Sequence, residues 1–529
     1  MTKNSTIHTL CLLLTVVVLV SCSRKEDKPA VVSSTSAFYN EQHRPQFHFS
    51  PKEHWMNDPN GMVYYQGEYH LFYQHYPEGN TWGPMHWGHA VSEDLIHWKH
   101  LSIALFPDSA GMIFSGSVVV DHQNVTGFGT ADNPPLIAIY TVHNMEGEKS
   151  GRNDYQNQAI AYSADRGRTW TKYNGNPVLK NPGKKDFRDP KVFWHAPSQA
   201  WIMILAVGDH VELYRSTNLT SWTKSGDFGI DQGSHGGVWE CPDLFPLQVD
   251  NGKQKWVMLV SLSDGGPNGG SGTQYFVGNF DGTGFTNDNP KDKILWIDYG
   301  RDNYAGVTWS NIPEGDGRTI FIGWMSNWKY ANVVPTTVWR SANTLPRTVQ
   351  LKETGDGLRL TSMPVSEFDS LALTSNEVTQ QNISDSLDLS STITALSTYE
   401  LDVEISNADK TGFVIELQNE VNQKVVFGYS PSEGNRYYVD RLMAGKNDYS
   451  LNFPGKHYAT RISSDTTVKL RMIVDRSSIE IFADGGLTVF TDLVFPDRVF
   501  SKLKIKSQGK PITLKSANVT AIDTIWKVE

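Results

Sequence analysis

The chain has 529 residues, with 47 Lys and Arg against 57 Asp and Glu, and a formal net charge of −10. Its length exceeds the usual size of one hydrophobic core, so at least two domains are expected. The acidic balance argues against a nucleic-acid partner, which would require basic patches, and is compatible with a neutral substrate.

The N-terminus has the pattern of an export signal. Lys3 precedes an apolar run from Leu10 to Val20, which is too short to span a bilayer and matches the hydrophobic part of a signal peptide. The sequence LVSC, ending at Cys22, resembles the lipobox of bacterial lipoproteins. Residues 1–21 are therefore predicted to be a signal peptide and Cys22 to carry a lipid. Ordinary cleavage by a secretory peptidase is the alternative.

Residues 22–43 are polar and predict a flexible lipidated tether. The charged stretch Ser23–Asp27 resembles the surface-export signal of some Gram-negative lipoproteins. We expect an exported lipoprotein anchored to the bacterial outer membrane, exposed at the cell surface or facing the periplasm, which touches the membrane only through its lipid. With three cysteines, one of them Cys11 in the signal, no disulfide framework is possible.

Residues 44–360 consist of short runs with the composition of strands and form the first predicted domain. A weak repeat, in which a turn beginning with Ser is followed by a Trp, occurs three times. The copies are Ser92–Trp98, Ser163–Trp170 and Ser216–Trp222. Repeats spaced by about one four-stranded sheet indicate a β-propeller, whose number of blades the three copies leave open.

Beyond Pro346 the pattern changes, and a second domain is predicted over residues 366–529. Polar, irregular sequence separates the two domains, so we place the boundary near residue 365. The following strands alternate apolar and polar residues more regularly, as expected of two sheets with one solvated face each. The predicted fold class is all-β, a propeller followed by a β-sandwich.

Three carboxylates have unusual local settings. Asp58 lies in WMNDPNG, whose Asn, Asp, Pro and Gly content predicts a tight bend. Asp189 in FRDP follows Arg188, and an adjacent guanidinium favours the ionised carboxylate. Glu240 lies in the apolar sequence WECPD, which would raise its pKa and suit a proton donor.

Each carboxylate also has a structural interpretation. Asp58 fits an Asx turn, Asp189 a turn before proline, and Glu240 the end of a strand. Together the three fit glycoside hydrolysis, which uses one carboxyl group as nucleophile or base and another as proton donor.

Several histidines raise the question of a metal. They are His54, His86, His89, His97 and His100. None has HExxH or Cys/His spacing, and His86 and His89 would face opposite sides of a strand. Aromatic packing is the preferred interpretation, and neither a metal nor a cofactor is predicted.

WMNDPNG, FRDP and WECPD, in this order and at this spacing, resemble the three signatures of glycoside hydrolase family 32, the invertases, inulinases and levanases. The resemblance covers most of the chain, because LFYQHYP, WGHA, FSGS, DYGRDNYA and GWMSNW fall where the family has similar segments. DRSSIEIFADGG resembles a late motif of its C-terminal domain. The resemblance implies a five-bladed β-propeller followed by a β-sandwich, with the site in the funnel at the propeller axis.

The same resemblance implies that Asp58 is the nucleophile, Glu240 the general acid and base, and Asp189 the transition-state stabiliser. The residues expected to contact the terminal fructose, with Arg188 counted among them, are Asn57, Gln74, Trp82, Phe114, Ser115, Arg188, Asp302 and Trp324. At Asp302 the chain departs from the family pattern, because Asn303 stands where an aromatic residue is common. Cys241 either tunes Glu240 or packs, and packing is favoured.

The resulting hypothesis is a retaining hydrolase that releases fructose from the non-reducing end of levan or inulin, with sucrose as a further candidate substrate. The first alternative is an endo-acting levanase that produces fructo-oligosaccharides, and the second is a non-catalytic glycan-binding lipoprotein of the cell surface. WMNDPNG and WEC argue against an inverting arabinan hydrolase. A sialidase would need a Tyr nucleophile and an Arg cluster, which the sequence does not place. Linkage preference, exo or endo action and oligomeric state are left open.

Overall fold

The computed structural model describes residues 39–249 and 252–526. The predicted signal, Cys22 and most of the tether lie outside these residues. Tyr39 already stacks on Trp526, with ring centroids 3.8 Å apart, and His43 is buried. The described body therefore begins inside the predicted tether. None of its helices is both long and apolar enough to cross a membrane.

The first part of the chain forms five antiparallel sheets of four or five strands. The first sheet contains β1 (His54–Tyr65), β2 (Glu68–Tyr76), β3 (His86–Ser92) and β4 (Lys99–His100). The second contains β5 (Met112–Val120), β6 (Leu136–His143), β7 (Gln156–Ser163) and β8 (Thr171–Lys172). The third contains β9 (Phe187–His195), β10 (Ala200–Val207), β11 (His210–Ser216) and β12 (Thr223–Phe228).

The fourth and fifth sheets follow the same plan. The fourth contains β13 (Trp239–Gln248), β14 (Gln254–Leu262), β15 (Gly272–Phe280), β16 (Phe285–Asn287) and β17 (Leu295–Trp296). The next strands are β18 (Tyr304–Thr308), β19 (Thr319–Met325), β20 (Trp339–Arg340), β21 (Ala342–Asn343), β22 (Arg347–Thr354) and β23 (Gly357–Pro364). All of these belong to the fifth sheet except β20, which pairs in parallel with β1.

The first strands of the five sheets form a closed ring of contacts, from β1 to β5, β9, β13, β18 and back to β1. The sheets are therefore the blades of a five-bladed β-propeller, and these five are the inner strands. The three Ser-to-Trp repeats occupy equivalent places, each between the third and fourth strands of one of the first three blades. In the second copy, Ser163 Oγ accepts from the Gly167 amide and the Trp170 indole donates to the Gly167 carbonyl.

The remaining strands form two facing sheets. They are β24 (Ala372–Val378), β25 (Gln381–Ile383), β26 (Ser386–Asp388), β27 (Tyr399–Ser406), β28 (Phe413–Gln418), β29 (Lys424–Ser430), β30 (Arg436–Met443), β31 (Lys456–Thr460), β32 (Thr467–Val474), β33 (Ser478–Ala483), β34 (Thr488–Leu493), β35 (Lys502–Ser507) and β36 (Ile512–Ile522). Seven strands in one sheet and six in the other enclose one apolar core, which makes this domain a β-sandwich. The predicted fold class is confirmed.

Helices are few and short in the part of the chain that the structure describes. The one α-helix there, α1, spans Met145–Lys149 between β6 and β7. Short 3-10 helices span Ala196–Ser198, Ala331–Val333, Ser366–Leu371, Ser390–Thr392 and Ala408–Lys410. The propeller's last strand ends at Pro364 and the sandwich's first strand begins at Ala372, on either side of the boundary placed near residue 365.

Each of the five inner strands contains a β-bulge, in which two residues oppose a single residue of the neighbouring strand. The bulged pairs are Asn57–Asp58, Phe114–Ser115, Asp189–Pro190, Cys241–Pro242 and Ala305–Gly306. A bulge breaks the regular alternation of side chains and re-aims them. Residues from all five inner strands, at or next to these bulges, line one small void.

Three bulges begin with a non-glycine residue in the left-handed region, namely Asp189 (φ 65°), Cys241 (φ 45°) and Ala305 (φ 52°). Such conformations are uncommon and cluster at functional sites. The tight bend predicted for WMNDPNG is wrong, because Trp55–Gly61 lies within β1. Its turn-forming residues are used by the bulges of a strand.

A buried group of charged residues joins the propeller to the sandwich, and we call it the domain-contact cluster. Its members, at most 3% exposed, are Asp298, Asp302 and Arg347 of the propeller and Arg441, Glu480 and Asp492 of the sandwich. Arg347 donates to Asp298 (3.1 Å) and Glu480 (2.9 Å), and Arg441 donates to Asp302 (2.5 Å). Glu480 belongs to DRSSIEIFADGG, so this late motif serves the contact between the domains.

Candidate active site

A cavity of about 370 Å³ lies at the bulges of β1, β5, β9 and β13. The three carboxylates singled out in the sequence, Asp58, Asp189 and Glu240, all line it. They come from three different blades and are brought together by the ring of inner strands.

The carboxylate of Asp58 accepts hydrogen bonds from neighbouring side chains. Ser115 Oγ donates to Asp58 Oδ2 at 2.6 Å, and Asn57 Nδ2 donates to Oδ1 at 3.0 Å. Asn57 is fixed in turn by the Trp55 indole, which donates to Asn57 Oδ1 at 2.7 Å. Burial and the negative charge of Glu240 raise the pKa of Asp58, against the effect of these donors.

Asp189 is 6% exposed and accepts a hydrogen bond from the Cys241 amide at 3.0 Å. Its own amide donates to Thr141 Oγ1 at 3.0 Å, which holds the left-handed backbone in place. Burial raises its pKa to about 7, and Glu240 and Asp58 add to this effect while Arg188 opposes it. Arg188 thus favours the ionised carboxylate, as the sequence predicts, but burial has the larger effect on the pKa of Asp189.

Arg188 pairs with Glu240, although its position in the sequence had suggested a pair with Asp189. Arg188 Nη2 donates to Glu240 Oε1 at 2.8 Å, whereas Arg188 Nε lies 3.9 Å from Asp189 Oδ2. The buried Tyr304 hydroxyl donates to Glu240 Oε2. Two donors thus surround a carboxylate for which apolar neighbours were predicted. Arg188 also donates to Asp186 at 2.6 Å.

Cys241 lies between two carboxylates. Its Sγ is 3.5 Å from Asp58 Oδ2 and 3.7 Å from Asp189 Oδ2. Burial and the surrounding carboxylates raise the pKa of the thiol, so it remains protonated and donates. Cys241 therefore does more than the packing that the sequence had predicted, because its thiol also donates a hydrogen bond to the neighbouring acids.

Most of the residues expected to contact substrate line the cavity. They are Asn57, Gln74, Trp82, Phe114, Ser115 and Arg188. Trp324 does not; it is fully buried behind the cavity wall and packs on Trp328, which lines the cavity, with ring centroids 4.8 Å apart.

Asp302 also lies away from the cavity. It is fully buried in the domain-contact cluster, where it accepts from Tyr330 Oη (2.6 Å), Arg441 Nη1 (2.5 Å) and the Leu493 amide (2.9 Å). All these partners would have to be lost before it could bind a sugar, so we withdraw its assignment as a substrate-binding residue.

Sequence reasoning missed several residues of the cavity wall. They are His143, Glu148, Gln156, Asp186, Trp328 and Asn332. Asp186 directly precedes FRDP and Trp328 is the last residue of GWMSNW, so these two motifs could have identified them. Of the others, His143 ends β6, Gln156 begins β7, and Glu148 and Asn332 lie in short helices between strands, none within a motif singled out in the sequence.

The described residues contain one group of metal-ligand type, His210, Glu212 and Asp227. Glu212 already accepts hydrogen bonds from Lys184 and Lys224, which supply the compensating charge. This is an ion-pair cluster on outer strands of the third blade, and none of its members lines the cavity. Of the histidines considered from the sequence, His89 stacks on Phe72, with ring centroids 4.0 Å apart.

The guanidinium of Arg188 lies beside Glu240 and Asp189 in this cavity, and Asp58 has no cationic partner there among the described residues. Burial and the negative charge of Glu240 raise the pKa of both Asp58 and Asp189, so the group retains a proton near neutral pH. Such a site supplies a proton to a leaving oxygen and a carboxylate for attack in the same space.

The family model described as "Glycosyl hydrolases family 32 N-terminal domain" matches residues 48–364, and the model of the C-terminal domain matches residues 367–522. A levanase of Bacillus subtilis is 49% identical over 499 residues, which cover 93% of this chain and 72% of the levanase. An extracellular exo-inulinase of Aspergillus awamori is 37% identical over 525 residues, covering 93% of this chain and 97% of the relative. A crystal structure of exo-inulinase from that organism matches with a TM-score of 0.84 at 35% identity, covering 92% of this chain and all of the other.

Proposed function

The chain belongs to glycoside hydrolase family 32, and from that premise we propose how its cavity cleaves β-fructosidic bonds. The protein is a fructan β-fructosidase. The observation that supports the mechanism is the meeting of Asp58, Asp189 and Glu240, from three blades, at one cavity.

Asp58 is the proposed nucleophile. Ser115 and Asn57 donate to its two oxygens and favour the ionised form. Its attack on the anomeric carbon forms a covalent fructosyl-enzyme and releases the leaving sugar. Water then cleaves the intermediate, so the anomeric configuration is retained.

Glu240 is the proposed general acid and base. It protonates the leaving oxygen as the glycosidic bond breaks, and it accepts a proton from the attacking water in the second step. Arg188 and Tyr304 hold its two carboxyl oxygens from different sides and fix its orientation.

Asp189 is the proposed transition-state stabiliser. Its left-handed backbone and its bond to the Cys241 amide fix the carboxylate at the cavity wall. Donation from two fructose hydroxyls favours the ionised form, and these charge-assisted bonds strengthen as positive charge develops on the sugar ring.

We propose exo action, in which a terminal fructose occupies the cavity. Its deep residues Asn57 and Gln74 are 3% and 2% exposed, so the sugar meets a closed end there. The exo-inulinase relative agrees with this mode.

Incubation with levan, inulin and sucrose, followed by time-resolved product chromatography, tests the mode of action. Free fructose as the first product is expected, and NMR of the first-formed anomer should show retention. Oligosaccharides appearing first would support the endo-acting alternative. Sugar binding without turnover would support the glycan-binding alternative.

Export and lipid anchoring through Cys22 are part of the proposal. The lipobox-like LVSC supports them, and a relative is named as extracellular. Partition of the native chain into a detergent phase is expected, and Cys22→Ala should move it into the aqueous phase. An unchanged partition would contradict the anchor.

A further inference from the structure

The segment between β6 and β7 brings a carboxylate to the mouth of the cavity. Helix α1 begins after Asn144, whose side chain accepts from the Gly147 amide, and it places Glu148 in the cavity wall. The Glu148 side chain is 44% exposed, in contrast to the deeply buried Asn57 at the closed end. Glu148 therefore lies on the side from which a substrate chain enters.

A chain of hydrogen bonds fixes this carboxylate. Gln156 Oε1 accepts from the Phe187 amide at 2.8 Å, so the amide nitrogen of Gln156 points the other way. That nitrogen lies 3.1 Å from His143 Nδ1 and donates to it. The His143 proton is therefore on Nε2, which donates to Glu148 Oε2 at 3.1 Å.

The histidine in this chain is rigid. His143 is 3% exposed and stacks on Phe114, with ring centroids 4.2 Å apart and an interplanar angle of 12°. Burial lowers the pKa of His143, which agrees with a neutral ring carrying one proton. No residue within 39–249 or 252–526 donates a hydrogen bond to the second oxygen of Glu148, Oε1. The orientation of Glu148 is thus set from β9, the strand that carries Asp189, and one oxygen remains free.

We propose that Glu148 is a binding residue for the leaving-group sugar, and that its free oxygen accepts a hydrogen bond from a hydroxyl of the unit next to the scissile bond. This inference rests on the proposed function. The terminal fructose occupies the closed end, so the unit beyond the bond passes the mouth, where Glu148 lies. A carboxylate held in one orientation binds a sugar hydroxyl without the loss of its own rotamer freedom.

Two fructosides that differ in the leaving group test this role. In the trisaccharide 6-kestose the leaving group is a sugar with hydroxyls, and in 4-nitrophenyl β-D-fructofuranoside it has none. Glu148→Ala should lower kcat/KM for 6-kestose about tenfold and leave the aryl fructoside within about twofold of the native value. Glu148→Gln keeps an acceptor oxygen and should show a smaller loss on 6-kestose.

Asp154→Asn is the matched control, because Asp154 lies beyond the same helix, pairs with the exposed Arg152 and does not line the cavity. Asp154→Asn should not change kcat/KM for either substrate. All three variants should keep the native Tm. Equal losses on both substrates, or no loss on 6-kestose, would overturn the role of Glu148 while leaving the proposed function intact. A native protein that cleaves neither fructoside nor fructan would overturn both.

Discussion

The propeller contributes to two groups of acids, one in the cavity and one at the domain contact, that differ in how many cations accompany them. In the cavity, Arg188 pairs with Glu240 and lies 3.9 Å from Asp189, while Asp58 accepts from the uncharged side chains of Ser115 and Asn57. In the domain-contact cluster, Arg347 and Arg441 pair with four carboxylates, and two histidines lie close to two of these. His48 lies 3.9 Å from Glu480, and His457 lies 2.7 Å from Asp492.

Two acids of the cavity and two acids of the domain-contact cluster have pKa values shifted in opposite directions. Burial disfavours the charge in both, and in the cavity the pKa values of Asp58 and Asp189 rise. At the domain contact, Arg347 and His48 overcome burial and lower the pKa of Glu480, and His457 and Arg441 do the same for Asp492. Acids with matched cations hold the domains together, and acids without them keep a proton for chemistry.

Substitution of a cavity acid should have the largest effect, and this effect should be on activity. Asp58→Asn removes the proposed nucleophile and should lower kcat by roughly 10⁴-fold or more, with the Tm unchanged or raised. Turnover of levan and a thermal scan measure the two effects. Activity close to that of the native chain would refute the nucleophilic mechanism.

Asp302→Asn should have the opposite result, because Asp302 pairs with the buried Arg441 outside the cavity. Loss of the compensating charge should destabilise the protein by about 3 kcal/mol, while kcat per folded molecule stays within about threefold of the native value. Chemical denaturation and active-site titration check this. A selective loss of activity with unchanged stability would restore Asp302 to the substrate-binding set.

Asp189→Asn should change how the stability of the protein depends on pH, because Asp189 has a raised pKa whereas Glu480 and Asp492 have lowered ones. The pKa of Asp189 is raised from 3.8 to about 7, so its protonation stabilises the fold fully below about pH 4, and that stability is lost as the pH rises through about 7. Asparagine does not ionise and escapes this loss. The variant should match the native Tm near pH 4 and exceed it by about 2 °C or more near pH 8.

For Glu480 and Asp492, whose pKa values are lowered, the sign is reversed: the stability they contribute is present at higher pH and is lost on acidification. Both the native chain and Asp189→Asn should therefore lose stability together at low pH. A constant Tm difference between them across the range would contradict the assignment of the raised pKa to Asp189.

The smallest effect is expected at Cys241. Cys241→Ala removes the thiol donor near Asp58 but keeps the backbone amide that holds Asp189. A decrease in kcat of roughly threefold is expected, because a thiol is a weak donor, and Cys241→Ser should recover part of it. A loss comparable to that of Asp58→Asn would mean that the thiol takes part in the reaction.

The sequence was most informative where chemistry and rare motifs coincide. The motifs around Asp58, Asp189 and Glu240 predicted three carboxylates that the fold brings into one cavity. It was wrong about the local form of WMNDPNG, because Asn, Asp, Pro and Gly suit a bulged strand as well as a turn.

Long-range partners were not predictable in the same way. Asp302 lies 139 positions before Arg441, and no local pattern indicates that the two will pair across domains. Arg188 precedes Asp189 in sequence but places its guanidinium on Glu240 of the next blade, a contact between strands that the sequence of β9 alone does not indicate. Glu148 lies on a five-residue helix whose sequence carries no signal of the cavity it reaches.

The bulge in each inner strand makes this site depend on the number of residues as well as on their identity. Because side chains alternate along a strand, removing one residue from the pair Asn57–Asp58 would turn every later side chain of β1 to the other face. Deletion of Asn57 would leave all three carboxylates in the sequence, but the side chain of Asp58 would no longer line the cavity. Related chains should therefore differ in the inner strands by substitutions far more often than by insertions or deletions.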